Sequence, residues 1–295
     1  MLTSFVGCNN SEPDQPQQNA TTTPRVRSTI DYNDIETDID LNDDADAIPN
    51  KKRTTEEKNL ASEYKEIVEN MNKAKNYHSE ITYYVKTYKD SNNITELAVE
   101  VKGQVSSDYF LKGEDGEEQH EIIHSKSKEI KTHIPTGISL KNEYESYGKK
   151  VHLSYTNFYN YYEKSSKSGW KNKTKGETVF PFTQLYPRGI RNIEVNEEES
   201  TPEIKVLEGT TYAALNGLTM DDDEIDQSSQ NDTKFKVRVD VKNKLILSSE
   251  IHENVEKMKS DGTKSSYTGT IIQKFSKINK NIDVQIPDSV ISAAQ

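Results

Sequence analysis

His120, Glu121 and His124 form the pattern H-E-x-x-H, which has the clearest chemical meaning in this sequence. On a helix, two histidines four residues apart point the same way and can bind one zinc ion. The glutamate between them can then act as general base for the attacking water. A catalytic zinc needs a third protein ligand, and Glu143 and His133 are the downstream candidates. The motif raises the hypothesis of a zinc peptidase.

The sequence around the motif favours a strand instead. The segment 142–146, with Glu143, resembles the one that supplies the third zinc ligand in glutamate-zincin peptidases, and this resemblance implies His120, His124 and Glu143 as ligands. However, the turn signal 113–116 precedes the motif, and 126–134 has the pattern of an exposed strand. On a strand the two histidines would lie about 13 Å apart and could not share a metal. We therefore predict no enzymatic activity, metal or cofactor, and keep the zinc peptidase as an alternative.

Cys8 is the only cysteine of the chain and follows a short apolar run that ends in Gly7. Gly-Cys followed at once by polar sequence resembles the lipobox of a bacterial lipoprotein signal peptide. The resemblance implies that residues 1–8 are the remnant of a signal peptide and that Cys8 carries diacylglycerol. Two acyl chains are enough for stable anchoring, and a domain without other cysteines has no thiol to oxidise outside the cell. We expect an extracytoplasmic protein that is lipid-anchored to the cell membrane.

Residues 9–54 begin with a segment, 9–50, that carries most of the net charge of the chain. Ten acidic residues against two basic ones in 9–50 account for −8 of the net charge of −11. Such a segment buries too little apolar surface to offset the entropy of ordering, so we predict a disordered acidic spacer. The acidic balance and the lack of a nucleic-acid-binding motif argue against nucleic acid as a partner. We expect a monomer whose partners are a lipid or other hydrophobic ligand and the membrane.

The remaining residues, 55–295, combine one helical pattern with many strand patterns. Apolar residues recur at steps of three and four from Leu60 to Ala74, after a cap at Thr54 or Thr55, and predict a helix over about 56–75. From Tyr77 the period changes to two, which predicts strands, and 234–278 has the pattern of an antiparallel meander. Segregated helix and strands indicate the α+β class.

The order of these elements resembles the LolA/LppX-like superfamily of lipoprotein and lipid carriers, as found in Gram-positive cell-surface lipoproteins. The residues that carry the resemblance are the helix end running into a strand at 71–78, the strand 99–105, the pair 159–162 and 169–170, and the closing segment 275–287. The resemblance implies a curved antiparallel half-barrel with an N-terminal helix and a short helical or loop lid. It also implies a concave apolar cavity for acyl chains, lipoproteins or glycolipids.

We therefore expect 55–295 to be a half-barrel domain that binds or carries a hydrophobic ligand. Alternate residues of successive strands would line its cavity, with an apolar lid at 180–187. An alternative is a non-catalytic scaffold or interaction lipoprotein with a filled core, because alternating apolar residues also form ordinary core packing. Trp170 offers a ring that can stack on sugars or lipid headgroups. The cavity candidates are Leu97, Val99, Val101, Leu153, Tyr155, Phe182, Leu185 and Tyr186.

Overall fold

The computed structural model describes residues 54–91, 94–114, 117–152, 160–173, 190–211, 233–258 and 264–295. The predicted lipidation site Cys8, the spacer up to residue 53 and the lid at 180–187 lie outside these ranges. In chain order the elements are α1 (Thr55–Asn72), β1 (Asn76–Ser91), β2 (Ile94–Lys112), β3 (His120–His133), β4 (Ile138–Val151), β5 (Asn160–Ser165), β6 (Ser168–Asn172), β7 (Ile190–Val195), β8 (Ile204–Thr211), β9 (Thr233–Asp240), β10 (Leu245–Met258), β11 (Lys264–Ser276) and α2 (Asp288–Ala293).

Helix α1 begins where the sequence predicts it, at a capping box. The side chain of Thr54 accepts a hydrogen bond from the backbone N–H of Glu57 at 3.1 Å, and the Glu57 carboxylate accepts one from the Thr54 N–H at 2.7 Å. Two N–H groups that the first turn leaves without a helical partner are thus satisfied. The apolar stripe is buried as the periodicity requires, and its residues are Leu60, Ala61, Tyr64, Ile67, Val68 and Met71.

The described strands form one open antiparallel sheet of 11 strands in the order β6-β5-β4-β3-β2-β1-β11-β10-β9-β8-β7. Consecutive strands are neighbours except β6 and β7, which form the two edges. The first and last strands, β1 and β11, pair in the middle of the sheet. The prediction of a long antiparallel sheet after an N-terminal helix is confirmed. The described ranges contain two helices, so a large sheet with helical additions describes the chain better than a balanced α+β fold.

Helix α1 packs on one face of the sheet, which we call the helix face. Tyr77 of β1, Leu207 of β8, Phe235 and Val237 of β9 and Ile251 of β10 are buried there in one cluster with the α1 stripe. Because side chains of a strand alternate between faces, the register from β1 outward assigns each residue of the sheet to the helix face or to the opposite face. None of the helices in the described ranges is both long and apolar enough to span a membrane.

Beyond this core, the helix face carries a row of small polar side chains. Ser79, Ser107, Ser125 and Ser146 lie directly opposite one another on β1 to β4, and all four are buried. The hydroxyls of Ser107 and Ser125 are 2.8 Å apart, and the amide of Gln273 donates to Ser79 at 2.7 Å. These hydrogen bonds compensate for the burial of Ser79, Ser107 and Ser125.

Candidate binding groove

The segment His120-Glu121-Ile122-Ile123-His124 lies at the start of strand β3, not on a helix. His120 and His124 share the face opposite to α1, where the strand separates them by about 13 Å. The predicted third ligand, Glu143, lies opposite Lys128 of β3. Lys128 is four residues beyond His124, so Glu143 is not beside either histidine. In the described part of the chain, no three His, Cys, Asp or Glu side chains come together in a way that would hold a metal ion. The zinc site of the helical alternative is wrong, because a strand cannot bring these two histidines to one metal.

Glu121 points to the helix face and is part of a buried ionic cluster. Its carboxylate accepts from Lys150 Nζ at 2.8 Å and from His152 Nδ1 at 2.7 Å. Burial by itself would raise the pKa of Glu121, but the hydrogen bond from His152 and the charge of Lys150 outweigh it and hold the pKa below its ordinary value. This carboxylate is thus a structural ion-pair partner, and it lies on the other side of the sheet from both histidines of the motif.

His124 belongs to a row of rings on the opposite face. Its imidazole stacks on the ring of Tyr147 across β3 and β4, with centroids 4.3 Å apart and planes inclined by 9°. The ring of Trp170, from edge strand β6, lies 5.7 Å from that of Tyr147. Nζ of Lys164 lies 5.0 Å from the centroid of Trp170. Three strands therefore contribute to a continuous aromatic surface, which we call the aromatic row: His124, Tyr147 and Trp170.

Glu145 connects the aromatic row to the charged residues beside it. Its carboxylate lies 3.0 Å from His124 Nε2, 2.9 Å from Lys164 Nζ and 3.8 Å from Lys126 Nζ. Partial burial by itself would raise the pKa of Glu145. The hydrogen bonds from Lys164 and His124 lower this pKa by more than burial raises it, so the pKa of the carboxyl is below its ordinary value. Burial, followed by the charge of Glu145, raises the pKa of Tyr147 and keeps its hydroxyl protonated.

Next to the aromatic row, a groove of about 480 Å³ crosses β1 to β5. Its two walls are side chains that point away from α1, from residues that lie opposite one another on neighbouring strands. Between these walls, the backbone of the intervening residue of each strand forms the floor. This alternation places the groove on the face opposite to α1. Its side-chain lining is Glu80, Thr82, Gln104, Ser106, Lys126, Lys128, Glu143, Glu145 and Lys164.

The side chains that flank the groove are balanced in charge, although apolar atoms form most of its surface. The lining contains three lysines and three glutamates, together with the neutral hydrogen-bonding groups of Thr82, Gln104 and Ser106. Side-chain exposures of 65% for Lys126, 73% for Lys128 and 59% for Glu143 leave these groups able to turn toward a ligand. A surface of this kind presents many donors and acceptors without a strong field of one sign, which suits a ligand rich in hydroxyls.

The predicted cavity residues lie elsewhere. Val99 and Val101 are half-buried on the helix face, opposite Thr87 and Val85. A register shift after Thr87 places Leu97 opposite Tyr88, so the simple alternation that would keep Leu97 on the face of Val99 is interrupted. None of these three described residues lines the groove. The other five candidates lie outside the described residues: Leu153, Tyr155, Phe182, Leu185 and Tyr186.

The sequence pattern does not single out Tyr147 or Lys164. A signal for the groove is nevertheless present, because Lys126 and Lys128 on one predicted strand, and Glu143 and Glu145 further on, repeat at a spacing of two. Residues two apart on a strand share a face. One strand then carries two lysines on one face and the other carries two glutamates. This indicates that the two strands pair with opposite charges facing each other. The observed register, with Lys126 opposite Glu145 and Lys128 opposite Glu143, is that arrangement.

The comparisons with known proteins leave the family open. No model of a known protein family matches this sequence, and no curated protein matches it. Among solved structures, the translocator domain of the autotransporter NalP from Neisseria meningitidis is similar to this chain at 5% sequence identity and a TM-score of 0.24, over 74% of this chain and 95% of that chain. A likeness at this level carries no argument about fold or function.

Proposed function

We propose that this chain is a membrane-anchored extracytoplasmic lipoprotein that binds an amphiphilic ligand without catalysing a reaction. In this proposal the sheet is a half-barrel of the LolA/LppX-like kind, and the groove recognises the polar, hydroxyl-rich headgroup of the ligand. The sequence-predicted cavity residues Val99 and Val101 lie on the helix face, so the sheet separates them from a ligand bound in the groove. The observation that carries the proposal is the groove of about 480 Å³ beside three aromatic rings.

The side chains of the groove support a sugar-like headgroup in particular. One face of a pyranose ring is formed by C–H groups and is apolar, while its edges carry hydroxyls. Aromatic rings offer a matching flat apolar surface. The neighbouring carboxylates, amide and hydroxyls can fix the orientation of the sugar hydroxyls. Tyr147 and Trp170 lie beside the groove and supply the flat surface, and the adjacent Glu145 and Lys164, which line the groove, supply hydrogen-bonding groups.

Isothermal titration calorimetry with three small probes tests this proposal. The probes are glucose, n-octyl β-D-glucoside below its critical micelle concentration, and n-octyl sulfate, which has the same chain with an anionic headgroup. We expect the glucoside to bind more tightly than either other probe, because it alone combines a sugar with an alkyl chain. Equal binding of the glucoside and the sulfate would contradict recognition of the headgroup.

Two variants locate the binding site. Tyr147→Ala removes the central ring of the aromatic row and should weaken binding of the glucoside about tenfold, since one well-packed aromatic contact contributes about 1.4 kcal/mol. His252→Ala is the matched control, because His252 is an exposed ring on the same face of the sheet in strand β10, where it contacts Thr270 and Glu250. Its binding should equal that of the wild type.

A scaffold lipoprotein with a filled core is the second candidate. The cluster under α1 favours it, because Ile67, Leu207, Val237 and Ile251 are each 0% exposed and leave that part of the helix face densely packed. A scaffold would bind none of the three probes in the calorimeter. The same titration therefore separates the two functions.

A further inference from the structure

The exposed apolar side chains of this protein are concentrated at the tip of one hairpin. Five large hydrophobic residues are exposed in the described part of the chain, and four lie on the hairpin formed by β3 and β4. They are Ile130 at 42%, Ile134 at 38%, Ile138 at 61% and Leu140 at 55%. We call these four residues the hairpin tip. Scattered apolar residues on a surface need no explanation, but a cluster of this kind indicates a contact surface.

The hairpin tip is apolar on both faces of the sheet and at the turn. Ile138 and Leu140 share the helix face, Ile130 points to the opposite face, and Ile134 is in the turn between the strands. A single flat protein partner would cover one of these faces and leave the other in water. On one side the tip pairs with β2, where the carbonyl of Ala98 accepts from the N–H of Ile134 at 3.0 Å. A medium that fits around the rest of the tip would cover all four side chains at once.

Lysines follow directly behind the apolar residues. Lys131 lies opposite Leu140, and Lys141 lies opposite Ile130. Lys128, two residues further from the turn, is already paired with Glu143 at 3.6 Å. From Ile130 to Lys141, the turn and the strand ends beside it contain two lysines and no acidic residue. Long basic side chains that follow an apolar tip are suited to reach the headgroup region of a bilayer while their stems stay against apolar surface.

Several polar groups of the turn at the tip are paired within the turn. The N–H of Gly137 donates to the carbonyl oxygens of His133 at 2.9 Å and Ile134 at 3.3 Å. Thr136 Oγ1 donates to the carbonyl oxygen of His133, lies 2.9 Å from His133 Nδ1 and accepts from the N–H of Ile138 at 3.4 Å. Unsatisfied backbone groups are costly to bring into lipid. Internal bonding of this kind therefore lowers the cost of inserting the turn.

We infer that the hairpin tip docks on an anionic lipid surface, with Ile130, Ile134, Ile138 and Leu140 in the boundary between headgroups and acyl chains. The distance from Lys131 to Ile134 along the strand is about 10 Å. This length agrees with the about 5–10 Å to which interfacial segments enter a bilayer. Docking at this tip would orient the sheet on the membrane independently of any lipid anchor and of any ligand in the groove.

Vesicle sedimentation tests the docking. The full chain with Cys8→Ser, which removes any acyl anchor, is mixed with vesicles of phosphatidylcholine alone or of equal parts phosphatidylcholine and phosphatidylglycerol. We expect binding to the anionic vesicles and weak binding to the neutral ones. The double variant Ile134→Ser, Ile138→Ser should lower the partition coefficient about tenfold, because two partly buried side chains lose their apolar contact with lipid.

Val241→Ser is the matched control. Val241 is the fifth exposed apolar residue of the described chain, at 44%, and it lies in the turn between β9 and β10. Its substitution should leave the partition coefficient unchanged, and far-ultraviolet circular dichroism should show that both variants keep the fold. Equal binding of the wild type and the double variant would overturn the inference. An equal loss with Val241→Ser would overturn it too, as would sedimentation without vesicles, which would indicate self-association of the chain.

Discussion

The imidazole of His124 stacks on the ring of Tyr147, with centroids 4.3 Å apart and planes inclined by 9°. This contact explains why a histidine of an H-E-x-x-H pattern lies where it does. The ring is held on one side by Tyr147 and at its Nε2 by the carboxylate of Glu145, 3.0 Å away. His124 is thus a member of an aromatic surface beside a polar groove, and the proposed function rests on that surface.

Removal of the buried charge of Glu121 should destabilise the fold. Glu121→Gln leaves Lys150 without its carboxylate partner, at side-chain exposures of 7% for Glu121 and 10% for Lys150. Loss of one partner of a buried ion pair costs about 3 kcal/mol, because the other charge stays buried and uncompensated. Urea unfolding at pH 7 measures the change. Glu250→Gln, at a glutamate with 39% side-chain exposure beside His252, is the control and should cost well under about 1 kcal/mol.

The contribution of Glu121 to the free energy of unfolding should decrease as the pH falls. Its pKa is lower in the folded protein than the ordinary glutamate value of 4.5. The unfolded chain therefore binds the proton more readily, and the stabilisation is fully present above the ordinary value. It is lost as the pH falls through the lowered pKa of the folded state. The difference in stability between wild type and Glu121→Gln should shrink on acidification, and a difference that grows would contradict the assigned ion pair.

A methyl group at Gly103 should displace the ring of Tyr83. A Cβ at Gly103 would lie 2.0 Å from Cζ and 2.3 Å from Oη of Tyr83, so the ring must move and its hydroxyl must leave Glu129, to which it donates at 2.9 Å. We expect Gly103→Ala to lower the free energy of unfolding by about 1–3 kcal/mol. Burial of the ring, together with Glu129, raises the pKa of Tyr83, so the hydroxyl stays a donor at neutral pH.

Gly269→Ala provides the comparison for Gly103→Ala. Both glycines lie within long strands, but a Cβ at Gly269 meets its nearest atoms at 3.9 Å, an ordinary van der Waals distance. This substitution should change the stability by no more than about 0.5 kcal/mol. In a double-mutant cycle, Tyr83→Ala should remove most of the penalty of Gly103→Ala. Additive effects of the two substitutions would show that the clash is not the cause.

Cys8 should decide the location of the protein in the cell. If Cys8 carries diacylglycerol, the wild type fractionates with the membrane, because two acyl chains bind a bilayer stably. Cys8→Ser should move most of the chain to the soluble fraction, apart from the weaker population held by the hairpin tip. Intact-mass spectrometry of the membrane-bound form should show the added lipid on the N-terminal cysteine. Membrane association of Cys8→Ser equal to that of the wild type would contradict lipidation as the anchor.

The local elements could be predicted from the sequence, and their partners could not. Helix α1 and the meander 234–278 follow from periods of about 3.6 and 2 that a few neighbouring residues display. The pairing of β1 with β11 joins Tyr83 to Ile271, almost two hundred residues apart, and no local pattern encodes it. Helix α2 has six residues, too few for a periodic signal.

The candidate binding groove is harder to predict from the sequence than the helices and strands. His120 and His124 can approach one metal only if their segment is a helix, and the segment is a strand. In the sequence, only the residues that flank the motif favour the strand over the helix. The groove depends on the register of five strands, which sets Lys126 against Glu145. A shift of one residue would send each of these side chains to the other face. The spacing of the lysines and glutamates indicates paired charged strands, but the groove that they flank becomes visible only with the structure.

The emission of Trp170 is the most direct measure of the proposed binding function. It is the only tryptophan of the 295 residues, and its ring lies in the aromatic row. Titration with n-octyl β-D-glucoside below its critical micelle concentration should produce a saturable change in intensity and wavelength. Tyr147→Ala should weaken that response and His252→Ala should leave it intact. An emission spectrum that stays constant through the titration, or a response that is identical in Tyr147→Ala, would contradict ligand binding in the groove.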